Sequence, residues 1–245
     1  MTIALFSDVH ANLPALEAFF NDVEQHKPDA IYCLGDLIGY NIWPNEVISE
    51  IKRRKIATIA GNHDVKVKAE NTQSSDPAKT YAYDIISDEG KVFLRSLPAH
   101  LRITFQLNHD QITLLMVHGS PRSINEYLYE DIDQDIITEI FVAEDADILC
   151  FGHTHKPYYR VIPISDDKGK RYAHTINTGS IGKPKDGDPR GAYVLIYLDE
   201  SSNIAIIDGI RVEIRRFEYD IEKAAAGVEN SPLPNELADM LRKGY

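Results

Sequence analysis

Five short apolar runs, Thr2–Phe6, Ala30–Leu34, Ile56–Ala60, Ile112–Val117 and Ile148–Phe151, are each followed at once by residues of metal-binding or acid–base type. Runs of this length, free of Gly and Pro, read as buried strands. Helical patterns separate the first three. Leu13, Leu16, Phe19, Phe20 and Val23 recur at three- and four-residue spacing, as do Val47, Ile48 and Ile51 after Pro44. Asn12, with Pro14 close behind, marks the entry to the first helix. The alternation β-α-β-α-β predicts an α/β fold with a parallel sheet and right-handed crossovers. Active sites in such sheets gather outside the carboxyl ends of the strands.

Further along, residues 65–100 lose the strand rhythm. Asn71–Pro77 is polar and turn-rich, and Tyr81, Ile85, Ile86, Val92, Phe93 and Leu97 predict two helices, interrupted near Gly90 and stopped by Pro98. We read this segment as a helical insertion beside the site. Leu101–Gln106 and Ile112–Val117 predict an antiparallel hairpin joined through 107–111. Strands are expected over 158–164, 172–177, 192–198, 203–207 and 210–217, with closing helices over Asp220–Gly227 and Pro234–Lys243. No repeat or low-complexity tract divides the chain, which predicts a single domain over 1–245.

Composition narrows the function classes. No run approaches membrane-spanning length, and Asp8 stands where a secretory signal needs an apolar stretch, so a cytoplasmic protein without membrane contact is expected. The two cysteines, Cys33 and Cys150, each lie inside an apolar run, which points to buried reduced thiols. A formal charge of −12 argues against extended nucleic-acid contact. The basic cluster Lys52-Arg53-Arg54-Lys55 ends a predicted helix, where cations suit the dipole. An acidic protein that handles an anionic substrate needs local positive charge, which bound metal supplies.

Immediately after the strands, in chain order, stand Asp8-Val9-His10, Gly35-Asp36, Gly61-Asn62-His63-Asp64, His118 and Gly152-His153-Thr154-His155. In extended backbone residues i and i+2 project to one side, so Asp8 with His10, and His153 with His155, are each expected to converge. Gly35, Gly61 and Gly152 allow close backbone approach. Carboxylate, amide oxygen and imidazole together suit first-row transition metals.

This ordered set resembles the calcineurin-like metallophosphoesterases from residue 3 to about 217. His118-Gly119-Ser120-Pro121-Arg122 followed by Asn125-Glu126-Tyr127-Leu128, and Asn177-Thr178-Gly179-Ser180, resemble the small stand-alone bacterial and archaeal branch often grouped with diadenosine tetraphosphate hydrolases. The resemblance implies a four-layer αββα sandwich of two mixed sheets flanked by helices, with two divalent or transition metal ions (Mn, Fe, Zn, Co or Ni) at the strand ends. It places Asp8, His10, Asp36 and His155 on one metal and Asp36, Asn62, His118 and His153 on the other, with Asp36 bridging and His63 as general acid. The implied activity is in-line attack on phosphorus by a metal-shared hydroxide. That makes the chain a phosphodiesterase or nucleotide phosphoanhydride hydrolase acting on a small phosphorylated or nucleotide substrate. The alternatives are a phosphomonoesterase or protein phosphatase, or a catalytically silent metal-binding scaffold.

Other residues carry expectations of their own. Asp64 is expected to hold the His63 imidazolium, and Arg122 either clamps a phosphate or makes a surface ion pair. Lys183, Lys185 and Arg190 read as solvated loop charge, with phosphate contact as the alternative. Tyr40, Trp43, Tyr127 and Tyr129 read as packing residues, with stacking on a nucleobase as the alternative. His26, His100, His109 and His174 read as ordinary surface or hydrogen-bonded histidines. Ala11 and Thr178 depart from the family's Gly and Pro, and Asn41-Ile42-Trp43 replaces a Gly-rich turn.

Overall fold

A computed structural model of the chain describes residues 1–68, 77–107, 110–166 and 169–245. Strand β1 (Thr2–Phe6) is buried on both faces: Ile3 and Leu5 point into one apolar cluster, Ala4 and Phe6 into another. A strand with two dry faces belongs in the middle of a layered structure, and the rest of the chain supplies the layers. Helix α1 (Leu13–Val23) comes next, then β2 (Ala30–Cys33), α2 (Pro44–Arg53) and a short β3 (Ala57–Thr58). Asn12 caps α1 by accepting from the Ala15 amide, and Leu16, Phe19, Phe20 and Val23 are the buried stripe. The cluster Lys52–Lys55 does fall at the end of α2.

Beyond β3 come α3 (Pro77–Asp84), α4 (Asp88–Ser96), β4 (Leu101–Leu107), β5 (Asp110–Met116), α5 (Gln134–Glu144) and β6 (Ile148–Phe151). The chain closes with β7 (Tyr158–Asp166), β8 (Gly169–Asn177), β9 (Gly191–Tyr197), β10 (Arg211–Phe217), α6 (Ile221–Glu229) and α7 (Glu236–Lys243). They form two five-stranded sheets, ordered β10-β9-β1-β2-β3 and β4-β5-β6-β8-β7. β1, β2 and β3 run parallel, β9 pairs antiparallel with β1 and β10 antiparallel with β9; β5, β6 and β8 run parallel, with β4 and β7 antiparallel at the edges. Both sheets are therefore mixed.

Three clusters stack these layers. Phe6, Leu16, Phe19, Val47 and Ile51 bury the first sheet against α1 and α2. Ile3, Leu5 and Leu34 meet Ile112, Leu114, Met116, Ile148 and Cys150 between the sheets. Leu149 and Phe151 pack with Ile137, Ile140 and Phe141 of α5 on the far side. This is the four-layer αββα sandwich, and both cysteines are free and buried within it. Among the described residues, no helix is long and apolar enough to cross a membrane.

Two local expectations need correction. The break between α3 and α4 falls at residues 85–87, not at Gly90, because Ser87 accepts from the Gly90 amide and so makes Gly90 part of the first turn of α4. Residues 203–207 form no strand. The Asn203 side chain accepts from the Ala205 amide and bends the apolar run into a turn, leaving Ile206 and Ile207 exposed. Residues 71–76 of the polar segment, and 108–109 of the hairpin link with His109, lie outside the described residues.

Candidate metal centre

Every segment that follows a parallel strand ends at one cleft. Asp8 and His10 follow β1, Asp36 follows β2, Asn62 and His63 follow β3, His118 follows β5, and His153 and His155 follow β6. Asp8 and His10 do converge, with His10 Nε2 3.6 Å from Asp8 Oδ1, whereas His153 and His155 fall in separate clusters; the backbone is not extended either, since Asp8, His10, Asp36, His153 and His155 all have left-handed φ, between 50° and 65°. Short polar residues tolerate this region best, and a cluster of such residues marks a site whose surroundings over-determine the backbone. Those surroundings are a zipper of loops. The amides of Asp8, His10 and Ala11 donate to the carbonyls of Gly35, Asp36 and Leu37 at 3.0, 2.9 and 2.8 Å. Two glycines are needed for fit: a Cβ on Gly61 would lie 2.1 Å from Asp36 Oδ1, and one on Gly152 would lie 2.4 Å from Asp8 Oδ2.

Each carboxylate spends one oxygen on this scaffold and turns the other inward. Asp8 Oδ2 accepts from Ser7 Oγ at 2.5 Å and from the His153 amide at 3.0 Å, while buried Oδ1 has no hydrogen-bond partner among the described residues. Asp36 Oδ1 accepts from the His63 amide at 2.7 Å. Its Oδ2 lies 3.7 Å from His10 Nε2 and 3.4 Å from His118 Nε2.

The imidazoles are aimed in the same manner. Nδ1 of His10 donates to the Ile38 carbonyl at 3.0 Å, Nδ1 of His118 to the Leu34 carbonyl at 2.8 Å, and Nδ1 of His155 to the Lys183 carbonyl. A carbonyl only accepts, so the proton is on Nδ1 and Nε2 faces inward, the arrangement that orients histidine ligands in metal sites. His10 Nε2 and His155 Nε2 stand 3.2 Å apart, a contact that needs a proton or a metal ion between two nitrogens. His155 Nε2 is also 3.2 Å from Asp8 Oδ1, and His118 Nε2 is 3.1 Å from Asn62 Oδ1. His153 Nε2 is buried and has no hydrogen-bond partner among the described residues. Ligand atoms of Asp8, His10 and His155, of His10, Asp36 and His63, and of Asp36, His118 and His153 each fall within 4.8 Å of one another.

Electrostatics describe a pocket short of positive charge. Burial opposes ionisation of Asp8, yet the His155 and His10 imidazoles hold its carboxyl well below the usual range. Asp36 behaves likewise, held down by His118. Burial works against a charged His118, but the Asp36 carboxylate lifts its pKa to about 10. His155 is pushed down to about 4 by burial despite Asp8 beside it, so its lone pair is free at neutral pH. An unpartnered carboxylate oxygen, an unpartnered imidazole nitrogen and this demand for cationic charge fit a divalent metal site.

The calcineurin-like phosphoesterase superfamily domain matches residues 1–201 of the sequence. The chain belongs to that superfamily. Uncharacterized protein MJ0912 of Methanocaldococcus jannaschii is 31% identical over 99% of this chain and 98% of its own. The metallophosphoesterase from Sphaerobacter thermophilus, 30% identical, superimposes with a TM-score of 0.77 over 100% of both chains. Hypothetical protein PH1004 from Pyrococcus horikoshii OT3, 21% identical, shares the fold with a TM-score of 0.78 over 100% of this chain and 98% of that one.

Within this superfamily fold several secondary expectations change. Asp64 does not hold His63. Its buried carboxylate accepts from the amides of Asp36, Leu37 and Gly61 at 2.8, 3.0 and 2.9 Å and so ties the loop after β2 to the loop after β3. The partner of His63 Nδ1 is the Tyr83 hydroxyl of α3, at 2.6 Å, a residue that sequence reasoning passed over. Its signal was only its place in the segment beside the site. Arg122 is paired with Glu126, whose carboxylate accepts from Nε at 3.1 Å, the surface ion-pair alternative.

Lys183 is not solvated. It is buried, its ammonium lies 4.9 Å from the Tyr40 ring centroid, and burial with Lys185 nearby pushes its pKa down to about 8. Lys185 is half-buried, whereas Arg190 is solvated and paired with Asp188. Tyr40 packs edge-on to His10, and Trp43 packs closely against Gly227 of α6. Tyr127 and Tyr129 remain exposed. Thr178, in place of Pro, donates its amide to the Phe151 carbonyl at 2.8 Å, a bond that Pro lacks. Ala11 sits at φ 53°, where the family's Gly is unstrained.

Proposed function

We propose that the chain is a dinuclear-metal-dependent phosphohydrolase, acting on phosphodiesters or small nucleotide phosphoanhydrides. One cation would be held by Asp8, His10, Asp36 and His155, and the other by Asp36, Asn62, His118 and His153. The observation that carries this reading is Asp36 Oδ2, one oxygen lying between His10 Nε2 at 3.7 Å and His118 Nε2 at 3.4 Å, as a carboxylate shared by two cations requires. When bound, a pair of divalent cations supplies Lewis acidity toward phosphoryl oxygens and an acidified water as nucleophile.

The chain's own residues supply the rest. Asp8 and Asp36 offer negative charge to offset the cations, and Asn62 contributes a neutral oxygen. His63 is the general acid for the leaving oxygen. Burial pushes its pKa down to about 3, so it is neutral in the free site, and the anionic phosphoryl group of a bound substrate is what favours its protonated form. The Tyr83 hydroxyl can donate to Nδ1 of the neutral ring and accept from Nδ1–H of the charged one, so it holds the ring through both states.

The test is metal stoichiometry and turnover of bis-p-nitrophenyl phosphate after chelation and Mn²⁺ reconstitution. Wild type is expected to take up about two Mn²⁺ per chain, and His63→Ala to keep that metal while kcat falls roughly 10²- to 10⁴-fold. Absence of metal uptake at these donors overturns the reading, and an unchanged kcat removes His63 from its role.

A further inference from the structure

Tyr127 and Tyr129 are large aromatic side chains left 48% and 43% exposed at the mouth of the metal centre. They are stacked rather than scattered. Tyr127 lies nearly parallel to the His153 ring at 4.1 Å between centroids, and Tyr129 continues the series at 5.7 Å and 7° from Tyr127. The result is a stepped aromatic shelf of parallel rings that leads from a proposed metal ligand, His153, through Tyr127 to Tyr129. A cavity of about 540 Å³, lined by Tyr129, Glu130, Asp131 and Lys156 among others, opens beside its outer end. That volume suits a nucleotide-sized ligand.

Charge is distributed to match. Lys156 directly follows His155 and places its ammonium 5.8 Å from the Tyr129 ring centroid. Lys185 donates its amide to the His155 carbonyl at 3.2 Å, and its side chain is close enough to Lys156 and to Asp8 for mutual electrostatic influence. In a chain of net charge −12, two lysines beside the shelf form a local basic rim. Glu130 and Asp131 are acceptors on the cavity wall, placed for sugar hydroxyls or an exocyclic amine.

We propose that Tyr127 and Tyr129 form the base-stacking subsite of a nucleoside phosphate whose phosphate lies at the metal centre. The inference rests on the phosphohydrolase reading and narrows its substrate class. Tyr129 is the second ring out from His153. An aromatic ring bonded directly to the phosphate therefore stops short of Tyr129, whereas a base carried on a sugar reaches it. Stacking is tolerant of base identity, so the subsite selects for a base without selecting strongly among bases.

The experiment measures dissociation constants of AMP, ribose 5-phosphate and phenyl phosphate by calorimetry on the full Mn²⁺-loaded chain, with hydrolysis of a ring-free glycerophosphodiester followed alongside. AMP is expected to bind at least 10-fold more tightly than ribose 5-phosphate, about the size of one base–aromatic stack, with phenyl phosphate nearer the sugar phosphate. Tyr129→Leu, which keeps apolar area and loses the ring, is expected to cut that preference to about threefold or less. Equal binding of AMP and ribose 5-phosphate, a preference that survives in Tyr127→Leu/Tyr129→Leu, or phenyl phosphate matching AMP each overturns the subsite. If the subsite alone is wrong, metal-dependent phosphate binding and hydrolysis of the ring-free diester persist. If no probe binds and no diester is cleaved, the phosphohydrolase reading has failed and the subsite with it.

Discussion

Asp8 and Asp36 are buried carboxylates with divided duties: one oxygen is fixed by scaffold amides and the other is left toward the cleft. His63 has its Nδ1 on the Tyr83 hydroxyl at 2.6 Å, and the proposed general acid would act through Nε2. Lys66 Nζ donates to the same hydroxyl at 3.5 Å, which leaves the phenol's own proton for Nδ1. Tyr83→Phe removes that contact and leaves the ring stack, 6.2 Å between centroids, in place. A net hydrogen bond of about 1–2 kcal/mol corresponds to a loss of roughly 5- to 30-fold in kcat, with metal stoichiometry retained. Steady-state kinetics with metal analysis decides it: a kcat within twofold of wild type separates Tyr83 from the reaction.

At the scale of elements, the site is built where loops after parallel strands are laced together, and Asn12 joins two of the laces. Its Oδ1 caps α1 through the Ala15 amide at 3.2 Å, while its Nδ2 donates to the Gly182 carbonyl at 2.8 Å in the loop between β8 and β9. Asn12→Ala loses cap and tie together, which predicts a cost of about 1–3 kcal/mol by urea unfolding of the metal-free chain. A change below about 0.5 kcal/mol shows that neither bond matters. The cap was legible because Asn before a Pro-containing first turn is a local signal. So were the strands, since alternation and burial are set by the chain's own apolar pattern. The segment 203–207 reads as a strand from its apolar run, but only the Ile204 carbonyl reaches β8, accepting from the Tyr172 amide at 2.7 Å, while the Asn203 side chain turns the chain away through the Ala205 amide. The left-handed backbone of Asp8 and His10 was hidden for a related reason: it is imposed by the neighbouring loop's carbonyls, which are distant in sequence. Tyr83 was missed because its partner is twenty positions away.

The whole molecule packs two sheets face to face, so some polar groups on central strands are sealed far from the cleft that needs them. His174 on β8 is fully buried beside β6, its Nδ1 against the Tyr159 hydroxyl at 2.7 Å and its Nε2 without a hydrogen-bond partner among the described residues. Burial pushes its pKa down to about 4, against 6.5 for an unperturbed imidazole. The unfolded chain therefore binds a proton at this residue between those two values while the folded chain does not. Stability from His174 is fully present above about pH 6.5 and is lost as pH falls toward 4, by up to roughly 3 kcal/mol. His174→Gln cannot titrate, so its own packing penalty is constant with pH, and the histidines of the metal centre are common to both proteins. Urea unfolding of wild type and His174→Gln, both chelated, at pH 7.5 and pH 5 isolates the difference: the variant is expected to lose less stability over that interval than wild type. Parallel pH dependences would mean that the folded interior already accommodates the imidazolium, with Tyr159 accepting its proton, and that the seal between the sheets admits charge.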